Sequence, residues 1–164
     1  ESRGIWVSRV RLKGVEGGKT RLWAFAARYL SACAEYLRGR RDVFTSNLTL
    51  VGVLGGSTLA VHHAVKDENA RAVVLISPLA EQLGFNLLAD LRELGGLPTL
   101  LVAEREAGDL CQRLVEAGHQ ANSGAAFIET KLVKTERCTL VSSKKARNEI
   151  VDWVRDQVFP RRGK

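Results

Sequence analysis

The feature that most constrains this chain is a set of three short apolar runs, each about as long as one β-strand. They are Leu48–Val53 (LTLVGV), residues 72–77 (AVVLIS) and residues 98–103 (PTLLVA). Both alternating faces of each run are apolar, as in strands of a parallel sheet that helices cover on both sides. Segments with helical spacing separate the runs. This alternation predicts an α/β fold, a three-layer sandwich with a mostly parallel sheet of about five strands.

The other predicted elements complete a single α/β domain over residues 1–164, a length that suits one core. A first strand is expected at residues 5–12. A last strand at residues 126–133 alternates polar and apolar residues, which places it nearer an edge of the sheet. Helices are predicted over residues 20–38, 57–67, 85–94 and 109–117, followed by a final helix with Ala146, Ile150, Trp153, Val154 and Val158 on one face and a basic tail at 160–164.

Composition limits the class of protein. No apolar run is long enough to span a membrane, and no signal-peptide pattern is visible. The three cysteines, Cys33, Cys111 and Cys138, follow no C-x-x-C spacing, so neither a metal site nor a disulfide framework is predicted. This cysteine usage favours a reducing compartment, and Cys33 is expected in the core. We expect no cofactor. The chain begins at Glu1 and contains no Met, which predicts a processed or trimmed N-terminus.

The net charge of +7 comes from 25 Lys and Arg against 18 Asp and Glu. Basic clusters occur at residues 38–41 (RGRR), 143–147 (SKKAR) and 161–164 (RRGK). Such clusters can contact anionic partners. Solvated loops and a solvated tail are the simpler interpretation, because no aromatic residues are interleaved and no nucleic-acid motif is present. The sequence therefore predicts no nucleic-acid binding.

In a parallel sheet the carboxyl ends of the strands meet at one edge, where ligands bind. The segment KGVEGGKT at residues 13–20 follows the first predicted strand and resembles a phosphate-binding loop. The first glycine of that motif would fall at Lys13, so a loop that precedes a helix is the better interpretation. Nucleotide binding stays an alternative, through Gly14, Gly17, Gly18, Lys19 and Thr20.

The segment Gly52-Val53-Leu54-Gly55-Gly56 lies between a predicted strand and a predicted helix. It resembles the G-x-S-x-G nucleophile elbow of α/β-hydrolases. RLKG, ARAVVLISP, LPTLLVAERE and EIVDWV resemble, in order, the turn before the elbow, the strand after it, the strand that presents the acidic triad residue and the closing helix. The resemblance covers nearly the whole chain, and the elbow and VVLISP are its distinctive parts. It implies a minimal α/β-hydrolase-like fold.

The family's reaction needs a nucleophile at the tip of the elbow, a histidine base and a carboxylate. The tip is Leu54, which has no nucleophilic atom. The resemblance places the histidine position at Arg137, which stays protonated near neutral pH. Carboxylates do follow the third apolar run, from Glu104 onward. Two of the three roles are therefore missing. The candidate elbow site comprises Gly52, Leu54, Gly56, Ser57, Ser77, Glu104, Arg137 and Cys138.

Substitute catalytic groups are not evident. Ser57 is expected to cap the helix after the elbow. Cys138 stands beside a cation that would lower its thiol pKa, but no histidine is placed to help it. The histidines at 62, 63 and 119 are expected at the surface or partly packed. The family's earlier strands would precede residue 5, so we expect either a minimal fold or a partner that covers the open sheet edge.

The leading interpretation is a catalytically degenerate α/β-hydrolase-like domain that acts as a binding or assembly subunit. We expect a protein partner or self-association, and an anionic ligand held by Arg137 is a further hypothesis. One alternative is a hydrolase of small esters with Ser57 or Cys138 as its nucleophile. The other is a nucleotide-binding regulator that uses residues 14–20.

Overall fold

The structure is a computed structural model that describes residues 19–42, 47–82, 85–121, 128–133 and 143–158. Helices and strands alternate along the chain, as the apolar runs predict. The helices are α1 (Lys19–Arg38), α2 (Gly56–Ala64), α3 (Leu87–Glu93), α4 (Gly108–Ala121) and α5 (Lys144–Val158), and the strands are β1 (Leu48–Val53), β2 (Ala70–Ile76), β3 (Glu81–Gln82), β4 (Phe85–Asn86), β5 (Thr99–Glu104) and β6 (Ile128–Val133).

Four strands form the main sheet in the order β1-β2-β5-β6, and each neighbouring pair is parallel. This confirms the predicted α/β fold with a parallel sheet. β6 lies at one side, as its alternating pattern indicated. β1 is the outer strand of the described sheet at the other side. The predicted strand at residues 5–12 lies outside the described residues.

Helices cover both faces of the sheet, because the strands are apolar on both faces. The connections through α2, α3 and α4 each step to the next strand in the same direction, so right-handed crossovers place these three helices on one face. α5 covers the other face, where Ala146 and Trp153 pack against β2 and β5. The main core lies under α2, α3 and α4 and includes Leu50, Val61, Val73, Leu75, Leu91, Leu101 and Leu114.

α1 packs beside α2. Trp23 and Ala26 form a small buried cluster with Leu59 of α2. The Trp23 ring also contacts Phe85, with 5.9 Å between ring centroids. These contacts attach one face of α1 to the helical layer.

Two sequence predictions need correction. The helix predicted over 85–94 begins at Leu87, because the side chain of Asn86 accepts a hydrogen bond from the backbone N–H of Ala89 at 3.2 Å and caps the helix. Residues 85–86 instead pair with β3 in an antiparallel ribbon. Cys33 is only partly buried, so it is not a core residue, whereas Cys111 is buried in the main core.

No helix in the described ranges is both long enough and apolar enough to cross a lipid bilayer.

Candidate functional site

The segment that resembles a nucleophile elbow forms a sharp turn between β1 and α2. At its tip Leu54 has a φ of 52°, a left-handed conformation that costs a residue with a side chain about 1–2 kcal/mol. The Leu54 N–H donates to the carbonyl of Ile76 at 2.9 Å, so the ladder between β1 and β2 continues to the tip. The Ser57 N–H then donates to the Leu54 carbonyl at 3.0 Å, which closes the turn. The Leu54 side chain is partly exposed.

Of the two elbow glycines, only Gly52 is sterically required. A Cβ atom on Gly52 would lie 2.5 Å from the carbonyl oxygen of Gly56 and closer still to the Cα of Ser57. A Cβ atom on Gly56 would meet nothing within 4 Å. The close approach of α2 to β1 therefore depends on the missing side chain at Gly52, whereas the space around Gly56 would accept one.

Ser57 does not cap α2, so that prediction was wrong. The N-cap residue is Gly55, which forms no side-chain cap hydrogen bond. Ser57 is fully buried, and its Oγ donates to the carbonyl of Gly52 at 3.2 Å. This bond joins the first turn of α2 to the strand beneath it. A buried hydroxyl that is already bonded to backbone is poorly placed to attack a substrate, which weighs against Ser57 as a nucleophile.

The next strand end repeats the strained conformation. Ser77, directly after β2, has a φ of 47°, and its N–H donates to the carbonyl of Val102 at 2.8 Å. Its Oγ donates to Glu104 Oε1 at 2.7 Å, and both side chains are buried. The sheet edge thus brings together two residues that the sequence assigned to the site. Strained backbone at two neighbouring strand ends is typical of a functional edge.

His62 and His63 lie in the last turn of α2, at the end of the helix away from Leu54. His63 Nε2 is 3.0 Å from Asp67 Oδ2, and the same carboxylate oxygen binds the guanidinium of Arg38. Ser31 Oγ is 3.4 Å from His63 Nδ1 but also donates to the Ala27 carbonyl at 3.2 Å. Although a serine, a histidine and an aspartate meet here, the one hydroxyl hydrogen is engaged with helix backbone. The group joins α1 to the end of α2.

Asp67 is held ionised in this network. Burial alone would raise its pKa, but the hydrogen bonds from Asn69 and the positive charge of Arg38 outweigh burial and hold the pKa below the usual value. His63 and Asp67 are four residues apart in the helix predicted over 57–67, so the sequence could have indicated this pair, although α2 ends at Ala64 and Asp67 follows it.

His62 forms the second pair, with α3. Its Nδ1 is 3.6 Å from Asp90 Oδ2, its Nε2 is 2.9 Å from Lys66 Nζ, and its ring meets Phe85 edge-on at 4.8 Å. Burial of Asp90, and then the charge of Glu93, raise its pKa although His62 and Lys66 oppose the shift. Asp90 Oδ2 has no hydrogen-bond partner among the described residues. No sequence signal indicated this contact between separate elements.

Several predicted site residues lie outside the described residues, namely Arg137, Cys138, Gly14, Gly17 and Gly18. Lys19 and Thr20 begin α1. His119 is exposed near the end of α4, as expected. Within the described ranges no three His, Cys, Asp or Glu side chains come together as a metal-binding group.

Comparison with known proteins found no family model, no curated protein and no solved structure that matches this chain.

Proposed function

We propose that this chain is a catalytically inactive domain of α/β-hydrolase type that works by binding, as a subunit of an assembly. The observation that carries the proposal is Leu54 at φ 52° on the tip of the elbow. In a hydrolase this strained turn exposes a reactive atom. Here the same turn presents an apolar side chain. Strain of about 1–2 kcal/mol without a reactive atom favours a role in binding over a role in chemistry.

The surroundings of the tip support the same proposal. Ser57 carries the hydroxyl that is nearest to Leu54 along the sequence. This hydroxyl is buried and donates to the backbone carbonyl of Gly52. The hydroxyl of Ser77 donates to Glu104. The two histidines of α2 bond to partners on α1 and α3, at the far end of the helix. A nucleophile and its base must lie within hydrogen-bond reach of each other, and the described residues offer no such pair at this edge.

Two valines of β1 support the assembly part of the proposal. Val51 and Val53 lie on the sheet face that α5 covers elsewhere, yet they are 54% and 38% exposed. Apolar surface on an outer strand favours association with another chain. A protein partner or self-association would remove this surface from water.

We further propose that Arg137 binds an anionic ligand at the carboxyl edge of the sheet. Unchanged binding of inorganic phosphate by Arg137→Ala would contradict it.

A fluorophosphonate probe, which labels activated serines, tests the absence of catalysis. The wild-type domain and Leu54→Ser are compared under folding conditions, with the heat-unfolded protein as background. We expect neither to be labelled above background, because the described residues supply no base at the tip. Labelling of the wild type would contradict the proposal and favour the hydrolase alternative. Labelling of Leu54→Ser alone would show that a base is present, which contradicts the loss of both catalytic roles.

Hydrolysis of a small p-nitrophenyl ester tests the remaining nucleophiles. We expect the wild type to hydrolyse the ester no faster than buffer. Turnover that disappears in Cys138→Ala or Ser57→Ala would identify the nucleophile and overturn the proposal.

Native mass spectrometry of the protein isolated from its source tests assembly. A lone chain of 18.0 kDa would contradict a subunit role.

A further inference from the structure

The outward face of α1 carries an apolar stripe that the fold leaves uncovered. Phe25, Tyr29 and Tyr36 are 52%, 48% and 67% exposed, and Ala32 between them is exposed as well. The opposite face of α1 packs on α2 through Trp23. Single exposed apolar residues are common on protein surfaces, but an aligned set on one helix marks an interaction surface.

The stripe has the spacing of a helix–helix seam. Steps of four, three and four residues connect Phe25, Tyr29, Ala32 and Tyr36, as in the core positions of a coiled coil. The seam is about 16 Å long. The rings of Phe25 and Tyr29 lie within 20° of parallel, with 6.2 Å between centroids, and form one continuous surface. The seam is thus shaped to receive another helix.

The charges beside the seam select the partner. Arg28 and Glu35 occupy the same flanking position one heptad apart, and both are exposed. Neither side chain forms an ion pair with another described residue. If a second copy of α1 lies antiparallel, Phe25 faces the partner's Tyr36 and Tyr29 faces the partner's Ala32. The same register brings Arg28 to the partner's Glu35, and symmetry repeats that ion pair.

A parallel arrangement would lack this match, because Arg28 would then face the partner's Cys33. The antiparallel arrangement also sets a small residue opposite a large ring, which lets the helices approach. We propose that this chain forms a two-fold symmetric homodimer through the antiparallel pairing of α1 with α1 of a second copy. The inference goes beyond the proposed function and uses no residue of the elbow, so the two can fail separately.

Sedimentation equilibrium over a dilution series tests the dimer. We expect the wild type to reach twice the single-chain mass of 18.0 kDa, with a dissociation constant on the order of micromolar because one helix pair is a small interface. Added salt should weaken the dimer, since its ion pairs are exposed. A wild type that stays monomeric at every concentration would overturn the proposal.

Charge reversal tests the interface itself. Arg28→Glu and Glu35→Arg each place two like-charge pairs in the dimer and should weaken it about tenfold, whereas the double variant should recover the wild-type constant. Tyr29→Lys should abolish the dimer. Arg113→Glu on the exposed face of α4 carries the same charge change and should have no effect. Thermal unfolding confirms that every variant is folded. The proposal is overturned if the dissociation constant of the dimer does not respond to these α1 substitutions, or if a folded double variant does not regain the wild-type constant. Either result would show that the chains associate through another surface.

Discussion

The two ends of α2 differ in backbone strain and in titratable side chains. At the N-terminal end the backbone is strained at Leu54 and tightly packed at Gly52, and the helix residues there carry no titratable side chain. At the C-terminal end, His62 and His63 face two aspartates from relaxed helical backbone. The ends are about 13 Å apart, the length of a nine-residue helix. Catalysis at a nucleophile elbow needs a strained tip and a proton acceptor together, and the two histidines of α2 lie at the end of the helix away from the tip.

The two aspartates at the C-terminal end also differ from each other. Asp67 receives hydrogen bonds from Asn69 and the charge of Arg38, and its pKa is lowered. Asp90 is buried with an oxygen that lacks a hydrogen-bond partner among the described residues, and its pKa is raised. Two aspartates that pair with neighbouring histidines of α2 therefore have pKa values shifted in opposite directions, because bonding to the carboxylate decides the direction.

The largest expected effect on stability comes from a substitution that disrupts the packing at the N-terminal end of α2. Gly52→Ala should lower the free energy of unfolding by about 3 kcal/mol or more, because the new methyl group would overlap the backbone at Gly56 and Ser57. Gly56→Ala is the matched control and should raise stability by up to about 1 kcal/mol, since the site is open and helical. Urea unfolding measures both variants. Equal losses would contradict the close approach at Gly52.

The next largest effect on stability comes from a substitution among the titratable side chains at the C-terminal end of α2. Asp67→Asn should cost about 2 kcal/mol at neutral pH, less than for a fully buried pair because Arg38 is partly exposed. The folded pKa of Asp67 lies below the unfolded value, so its contribution is present above about pH 4 and is lost as pH falls through the folded pKa. Urea unfolding as a function of pH measures the difference between the wild type and the variant.

Asp42→Asn is the control for that experiment. Asp42 pairs with Arg40 at 2.6 Å, but both side chains are exposed, so the change should have no measurable effect at neutral pH. A loss for Asp42→Asn as large as that for Asp67→Asn would show that burial does not distinguish the two carboxylates.

A smaller effect tests the strain at the tip. Leu54→Gly should leave stability unchanged or raise it by up to about 1 kcal/mol, because relief of the left-handed conformation offsets the added freedom of the unfolded chain. Leu132→Gly, at a position of β6 that is 43% exposed, makes the same change in extended backbone and should cost about 1 kcal/mol. Thermal unfolding compares the pair. A clear loss for Leu54→Gly would mean that the side chain itself stabilises the turn.

The smallest effect concerns Asp90. Asp90→Asn should raise stability at neutral pH by less than about 1 kcal/mol, because it removes a charge that burial disfavours. The folded pKa of Asp90 lies above the unfolded value, so its stabilising contribution is present at low pH and lost as pH rises through the folded pKa. The advantage of Asp90→Asn should therefore shrink on acidification. An advantage that grows instead would place Asp90 in a network like that of Asp67.

Most of the layered architecture could be predicted from the sequence, because β1, β2 and β5 are apolar on both faces. The tight turn between β1 and α2 could be predicted as well, since Gly52 follows an apolar strand and marks a close backbone approach to the helix. The meeting of Ser77 with Glu104 followed from their shared edge. The contacts of Arg38 with Asp67 and of His62 with Asp90 could not be predicted, because these residues share no strand edge and have no periodic relation in the chain. The start of α3 at Leu87 depends on a cap and a short ribbon that override helical spacing.

In the main sheet, each of the strands β2, β5 and β6 pairs with the main-sheet strand that precedes it in the chain. The sheet can therefore grow in the order in which the ribosome releases it, one strand and one helix at a time. Among the elements that the structure describes, α5 is the one that shields Val74, Ile76 and Val102 on the other face. Until α5 has been synthesised, no described helix covers these side chains. The interval before α5 leaves the ribosome is thus one in which this chain exposes apolar strand surface and is prone to aggregate.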